Sequence, residues 1–336
     1  MPLTPTGYAT GKPPHETVDA VVIGGGAAGL NGALMLARSR RSVVVIDGGT
    51  PRNAPAEGVH GLLGLDGVSP AELLRTGREE VSRYGGRIVA GEVTSAVPAA
   101  PSAGNDPRFT VTLAGGGILH ARRLLVATGL RDQLPDVAGL ARHWGRGVVH
   151  CPYCHGWEVR DEPIGILATG PASVHHALLF RQLTDDLVYF THGTGLDEDT
   201  RARFAARGVR VVDTPVAEVE STGNGVTGVR LADGRLVPRR VIAVATVLRA
   251  RTEGITGLGL PMEDMPQGMG RHFATGLAGS TSVPGVWVAG NATDLFAQVG
   301  AAAAAGALAG ARINADLVAA DTDAALAAAR RGSTAA

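Results

Sequence analysis

Asp19-Ala20-Val21-Val22-Ile23-Gly24-Gly25-Gly26-Ala27-Ala28-Gly29 decides the fold of this chain. Its first five residues read as a short buried strand, since four apolar residues follow one another. A G-x-G-x-x-G turn comes next, and Leu30 to Ser39 carries a helical pattern. A second strand, Ser42 to Ile46, ends at Asp47. Strand, glycine turn, helix, strand and acid within about thirty residues form the dinucleotide-binding arrangement. Gly24 allows the sharp turn, and Gly26 lets a pyrophosphate approach the backbone. Ala28 is small beside them, and Gly29 lets the helix lie close to the strand. The helix N-terminus then faces the phosphates. Asp47 is placed to accept hydrogen bonds from ribose hydroxyls.

The 336 residues, 45% of them hydrophobic, are enough for about two domains. With 31 basic and 31 acidic residues the net charge is zero, and no charge block points to nucleic acid or to a membrane surface. The Ala/Gly run Ala297–Ala309 is too short and too weakly apolar to span a bilayer. Residues 1–17 lack an apolar core and read as a flexible tail rather than a signal peptide. The cytoplasm is the expected compartment, where two cysteines close in sequence serve catalysis more often than structure.

Onward from Asp47, the loop Gly48-Gly49-Thr50-Pro51-Arg52-Asn53 runs towards His60 to Gly67. Ser69 caps a helix expected from about Pro70 to Tyr84. Arg87 to Val97 reads as one strand. Residues 98–107 read as a polar turn, and Arg108–Leu113 with Gly117–His120 as a hairpin. Arg123 to Gly129 is a further buried strand ending in Ala127-Thr128-Gly129.

Four features now stand in order: the glycine turn, the Ala-Thr-Gly strand, Cys151-Pro152-Tyr153-Cys154, and Thr281 to Gly290. With them, the chain from about 18 to 320 resembles the low-molecular-weight thioredoxin reductase family. The resemblance implies an α/β fold of two Rossmann-like (three-layer ββα) nucleotide-binding domains, the second inserted into the first. The expected division is an FAD-binding domain of 18–130 and 246–325 around an insert of 131–245 that carries the cysteines. It implies FAD as cofactor. Gly48, Arg52, Asn53 and His60 would lie towards the flavin and Val93 beside the adenine. Gly290, Asn291, Asp294, Gln298 and Val299 would line the ribityl and pyrimidine side. Asn291 stands where the family has an acid. The Ala-rich helix that follows is expected to reach about Ala320.

In the insert, the loop Ala168-Thr169-Gly170-Pro171-Ala172-Ser173 departs from the reductases' GxGxxA. Pro171 removes an N–H where a phosphate needs donors. Thr191-His192-Gly193-Thr194-Gly195 stands where the reductases carry an arginine pair for the NADPH 2′-phosphate, and a phosphate needs fixed charge. Arg201 and Arg203 are the nearest substitutes. The chain resembles more closely the flavin-dependent dithiol oxidases of the gliotoxin and holomycin type, which carry His-Gly after the second cysteine, as Cys154-His155-Gly156 does here.

Cys151 and Cys154 are the chain's two cysteines. A redox-active disulfide is the favoured reading. A zinc site, with His143, His150 or His155 as ligands, and a buried inert pair stay open beside it. By analogy with the family, a substrate thiolate attacks Cys151, and Cys154 passes the electrons to the flavin. His155 is the candidate base and His150 a weaker one. The expected function is oxidation of a small-molecule dithiol with oxygen as acceptor, by a homodimer. The rivals are an NAD(P)H-linked disulfide reductase and a redox-sensing flavoprotein.

Overall fold

The computed structural model describes residues 8, 15–99, 108–223 and 225–333. The first part of the chain forms β1 (His15–Ile23), α1 (Ala27–Arg38), β2 (Val43–Asp47), α2 (Pro70–Arg83), β3 (Arg87–Ala90), β4 (Val93–Pro98), β5 (Phe109–Leu113) and β6 (Ile118–Val126). Next come β7 (Leu130–Gln133), β8 (Val148–Val149), α3 (Pro152–His155), β9 (Ile164–Leu167), α4 (Ala172–Phe180), β10 (Leu187–Phe190), α5 (Glu198–Ala206) and β11 (Arg210–Val212). The strands β12 (Val216–Thr222), β13 (Gly225–Leu231), β14 (Leu236–Pro238), β15 (Val241–Val244), β16 (Val247–Ala250), β17 (Met262–Asp264), β18 (Gly270–Phe273) and β19 (Val286–Val288) lead to α6 (Val299–Ser333).

Two sheets carry the architecture. One has the order β3-β2-β1-β6-β5-β4, with β19 also paired to β6. The other runs β11-β10-β9-β15-β8, all parallel. Each has a hydrophobic cluster on either face. A smaller sheet, β12-β13-β14, lies beside the second, and β17-β18-β16-β7 joins the two parts of the chain. The fold is therefore α/β with two Rossmann-like units, as the resemblance implied.

Several boundaries differ from the sequence reading. Residues 15–17, expected in the tail, belong to β1, where His15 pairs with Ile118. Residues 1–7 and 9–14 of that tail lie outside the described residues, as do 100–107 of the polar turn. The expected hairpin strand and the Ala-Thr-Gly strand are one strand, β6. The gap expected at Ala121 and Arg122 is continuous strand. Asp19 at 3.1 Å and Asp321 at 2.6 Å neutralise Arg122, and Asp316 pairs with Arg123. β3 and β4 are two strands where one was expected. β15 lies in the second sheet between β9 and β8, and β16 pairs with β18 and β7. Between β16 and β18, β17 forms, and Met262 and Met265 pack against apolar clusters. α6 runs on to Ser333, past the expected end near Ala320, in keeping with alanine's helix propensity over Ala324–Ala329.

α1 and α6 lie against one face of the first sheet, and small residues let them approach. A Cβ on Gly306 would stand 1.9 Å from the Ala28 carbonyl oxygen, and one on Gly310 would stand 2.5 Å from that of Gly32. Neither clash is with a movable side chain. Gly306→Ala is therefore expected to lower stability by about 1–3 kcal/mol, within the range of overpacked cores. Urea unfolding measures this, and an unchanged midpoint would contradict the packing described.

Candidate active site

The first glycine loop is built by three different contacts. Gly24 has φ +114°, and a Cβ there would meet the Ala127 carbonyl oxygen at 2.2 Å. A Cβ on Gly29 would meet the Gly24 carbonyl oxygen at 1.8 Å, so this glycine seats α1 on β1. Gly26 has no heavy atom within 4 Å of such a Cβ. It caps α1 without a side-chain hydrogen bond, which leaves the helix's first amides to whatever occupies the space beside them.

That space is a long cleft. Gly24, Gly26, Ala28, Asp47, Gly48, Arg52, Asn53, Ala127, Thr128, Gly129, Asn291, Gln298 and Val299 line it, and so does Cys154. Asp47 is held ready. Its Oδ1 accepts from the Gly49 amide at 2.9 Å, and its Oδ2 accepts from the Tyr8 hydroxyl at 2.7 Å with Arg78 at 3.5 Å. Burial and the neighbouring Asp47 push the Tyr8 hydroxyl up to about 12, so it remains a donor. Gly25 is needed for this geometry, since a Cβ there would lie 2.4 Å from the Asp47 carboxyl carbon.

Other expected residues stand outside the lining. Gly29 lies under α1. Val93 packs against the first sheet's apolar cluster. Gly290, at φ +72°, turns the chain against Ala28. Asp294 is exposed and caps the Phe296 amide at 3.1 Å. His60 bridges Asp66 at 3.5 Å and Glu158 at 3.4 Å, which ties its loop to the segment after the cysteines. Asn291 lines the cleft and spends its amide nitrogen on the carbonyls of Asp294 at 2.9 Å and Ala297 at 2.8 Å. A carboxylate at 291 could not donate these bonds, which form the turn into α6.

Several cleft residues escaped the sequence reading, and Arg251 is the one that carries a charge. Arg251 lines the cleft beside Thr128, whose hydroxyl donates to the Arg251 carbonyl at 2.9 Å. Its guanidinium donates to the Thr50 carbonyl at 3.2 Å. No local motif marks it; the pairing of β16 with β7 delivers it to the cleft.

Cys151 and Cys154 form a disulfide with Cα atoms 5.2 Å apart. Cys151 caps the single turn α3, and Cys154 faces the cleft. The two sulfurs thus have different surroundings, and Cys151 is outside the lining. His155 is half-buried, and both its ring nitrogens are buried without a hydrogen bond. Burial pushes it below the usual histidine range, and Glu158 opposes this. It is therefore a neutral imidazole at pH 7, able to take a proton. His150 is also pushed down, by burial and then by Arg52, and its Nδ1 lies 3.1 Å from the Val244 carbonyl. Arg52 makes a bidentate pair with Asp132, both bonds 2.7 Å, and Asp132 also accepts from Thr246 at 2.7 Å. Burial would raise the Asp132 carboxyl, but Arg52 and Thr246 outweigh it and hold it low.

His176, on α4, is pushed down to about 4, chiefly by burial, with His150 and His175 nearby. An unfolded histidine titrates near about 6.5, so in between only the unfolded chain binds the proton. Stability should therefore fall as the pH drops through that window, by roughly 3 kcal/mol from this group, and level off below it. The half-buried His150 and His155 add shifts of the same sign. Denaturant unfolding from pH 7 to pH 4 reads the slope, which His176→Gln should reduce. A flat profile would contradict it.

The second glycine-type loop spends both donors of Thr169 within the protein. The Thr169 amide donates to Ser173 Oγ at 3.0 Å, and the Thr169 hydroxyl donates to the Ala245 carbonyl at 2.6 Å. Pro171 caps α4. Past β10, His192 Nδ1 accepts from the Val216 amide at 3.1 Å. Arg201 pairs with Asp213 at 2.8 Å and Arg203 with Asp199 at 2.8 Å. Among the described residues no group of three or more His, Cys, Asp or Glu is placed to hold a metal, and no helix is long and apolar enough to cross a membrane.

A dinucleotide-type cleft lined by one sulfur of a disulfide defines a disulfide oxidoreductase of the two-Rossmann-unit class. Residues 18–306 match the pyridine nucleotide-disulphide oxidoreductase family, and the chain belongs to it. Within it the chain is a thioredoxin reductase-like flavoprotein. The thioredoxin reductase tcpT of Claviceps purpurea is 32% identical over 90% of this chain and 95% of its own length. The thioredoxin reductase sirT of Leptosphaeria maculans is also 32% identical, over the same shares. Among solved structures, HlmI superposes with a TM-score of 0.88 at 45% identity, covering 96% of this chain and 99% of its own. An oxidoreductase from Agrobacterium tumefaciens gives 0.82 at 36%, covering 90% and 99%.

Proposed function

We propose that this protein is an FAD-dependent dithiol oxidase that closes a disulfide in a small-molecule dithiol, a natural product, with oxygen as final acceptor. The observation that carries this reading is the second nucleotide loop. Its nearby arginines are paired, its Thr169 amide is used within the protein, and Pro171 offers none. A nicotinamide dinucleotide phosphate would have to break those bonds and find compensation elsewhere. The cleft's fit to FAD is supported by the open space over Gly26 and the oriented Asp47. The same proposal takes 18–130 and 246–325 as the flavin domain, 131–245 as the insert, and a cytoplasmic homodimer as the working form.

Bound in this cleft, the flavin supplies a two-electron acceptor that oxygen can reoxidise. The chain's own residues do the thiol chemistry. His155 takes the proton of a substrate thiol, and the thiolate attacks Cys151 and displaces the Cys154 thiolate. The second substrate thiol displaces Cys151, which releases the oxidised substrate and leaves two cysteine thiols. The pair then gives up two electrons and two protons and closes again. Per turnover, dithiol and oxygen yield disulfide and hydrogen peroxide. Exposed Tyr153 and Trp157, 66% and 67% accessible, offer apolar contact to a substrate at this turn.

The names of the fungal relatives favour one rival, an NAD(P)H-dependent disulfide reductase. Anaerobic titration separates the two. NADPH is expected to leave the visible flavin absorbance unchanged, and dithiothreitol to bleach it, with air restoring the colour and forming peroxide. Rapid bleaching by NADPH would establish the reductase instead.

A further inference from the structure

His176 takes no part in the chemistry described above. It lies in the middle of α4, the helix that follows the second glycine-type loop, and it is only 7% exposed. Its Nε2 meets the carbonyl oxygen of His150, the residue directly before Cys151. A carbonyl only accepts, so Nε2 carries the proton. Nδ1 is then a bare lone pair, and it is buried with no hydrogen-bond partner. A buried acceptor left bare is unfavourable, so the bond at Nε2 is made despite that cost. The ring stacks on His150 at 5.7 Å and meets Phe180 edge-on at 4.9 Å, which fixes its plane.

The disulfide depends on this backbone. α3 is one turn of four residues, too short to hold itself, and the Cys154 and His155 amides both donate to the Cys151 carbonyl, at 3.3 and 3.2 Å. A rotation at His150 would swing both sulfurs together. β15 holds the His150 ring through the Val244 carbonyl, and α4 holds its main chain.

We propose that His176 is a positioning residue for the redox pair: by donating Nε2–H to the His150 carbonyl, it keeps Cys154 at the cleft and Cys151 towards the incoming thiol. The proposal rests on the redox-active reading of that pair. It also gives the insert a task other than carrying a nucleotide. The N-terminus of α4 is closed by Pro171 and Ser173, and the body of the helix props the disulfide.

The test uses the FAD-loaded protein with His176→Gln, His176→Asn and His176→Leu. A glutamine amide reaches the place of Nε2, and an asparagine amide reaches only that of Nδ1. After anaerobic reduction, brief iodoacetamide labelling and peptide mapping give the ratio of modified Cys151 to Cys154. Stopped-flow reduction by dithiothreitol gives the rate, and thermal unfolding is followed separately. Wild type is expected to label mainly at Cys151. Asn and Leu should bring the ratio towards even and slow reduction about tenfold, while Gln stays within about twofold of wild type. Where the Leu variant does not fold, the Gln–Asn contrast decides. Equal ratios and rates in all forms, or Gln behaving as Asn, overturn the proposal. A wild-type pair that does not react with dithiol overturns the redox reading itself and this proposal with it, and that result is distinct from equal behaviour among variants.

Discussion

Cys154→Ser is expected to lower thiol-dependent turnover by at least about 10³-fold while leaving the flavin bound. Serine fills nearly the same space, so the cleft wall that Cys154 forms is kept. The oxidant that a substrate thiolate attacks is the Cys151–Cys154 bond, and without Cys154 that bond cannot form. Cys151 alone, outside the cleft lining, has no partner sulfur through which electrons could reach the flavin. The purified variant should be yellow with a normal flavin content, and an anaerobic dithiol should bleach it only very slowly. A Cys154→Ser enzyme with ordinary turnover would end the scheme. Cys151→Ser should be equally inactive in steady state, though it leaves a thiol facing the flavin.

Gly26→Val should yield a folded protein without its flavin. Gly26 has φ −82°, a value any residue adopts. No protein atom stands within 4 Å of where its Cβ would be. The substitution therefore costs the empty fold little, and the valine projects into the space next to the α1 amides. A bound pyrophosphate would have to give up that space, so FAD affinity should fall about 100-fold or more. Gly24→Val is the contrast, because its side chain would strike the Ala127 carbonyl, and fold and cofactor should fail together. Flavin content on purification, reconstitution with FAD, and circular dichroism distinguish the two. Tight flavin binding by Gly26→Val would mean that the cofactor lies elsewhere.

What could be read from the sequence was local in the chain. The first glycine loop, its helix and Asp47 follow one another, and their spacing reflects direct steric needs, so they could be placed without coordinates. The cysteine pair and the altered second loop were legible for the same reason. Strands whose charges are neutralised from afar were not. β12 went unnoticed because Glu218 and Glu220 interrupt its apolar residues, and Arg230 on β13 pairs with both. Asp294 was a reasonable candidate by proximity to Gly290, but the turn closed by Asn291 leaves it exposed.

The sequence by itself determined the first dinucleotide loop and the close spacing of Cys151 and Cys154, since each is written in adjacent residues with a fixed steric reason. Only the tertiary structure decided which sulfur faces the cleft, that Arg251 joins its lining, and that His176 holds the backbone before Cys151. These contacts join positions far apart in the chain. Whether they form depends on strand order and helix packing, which no short stretch of residues encodes.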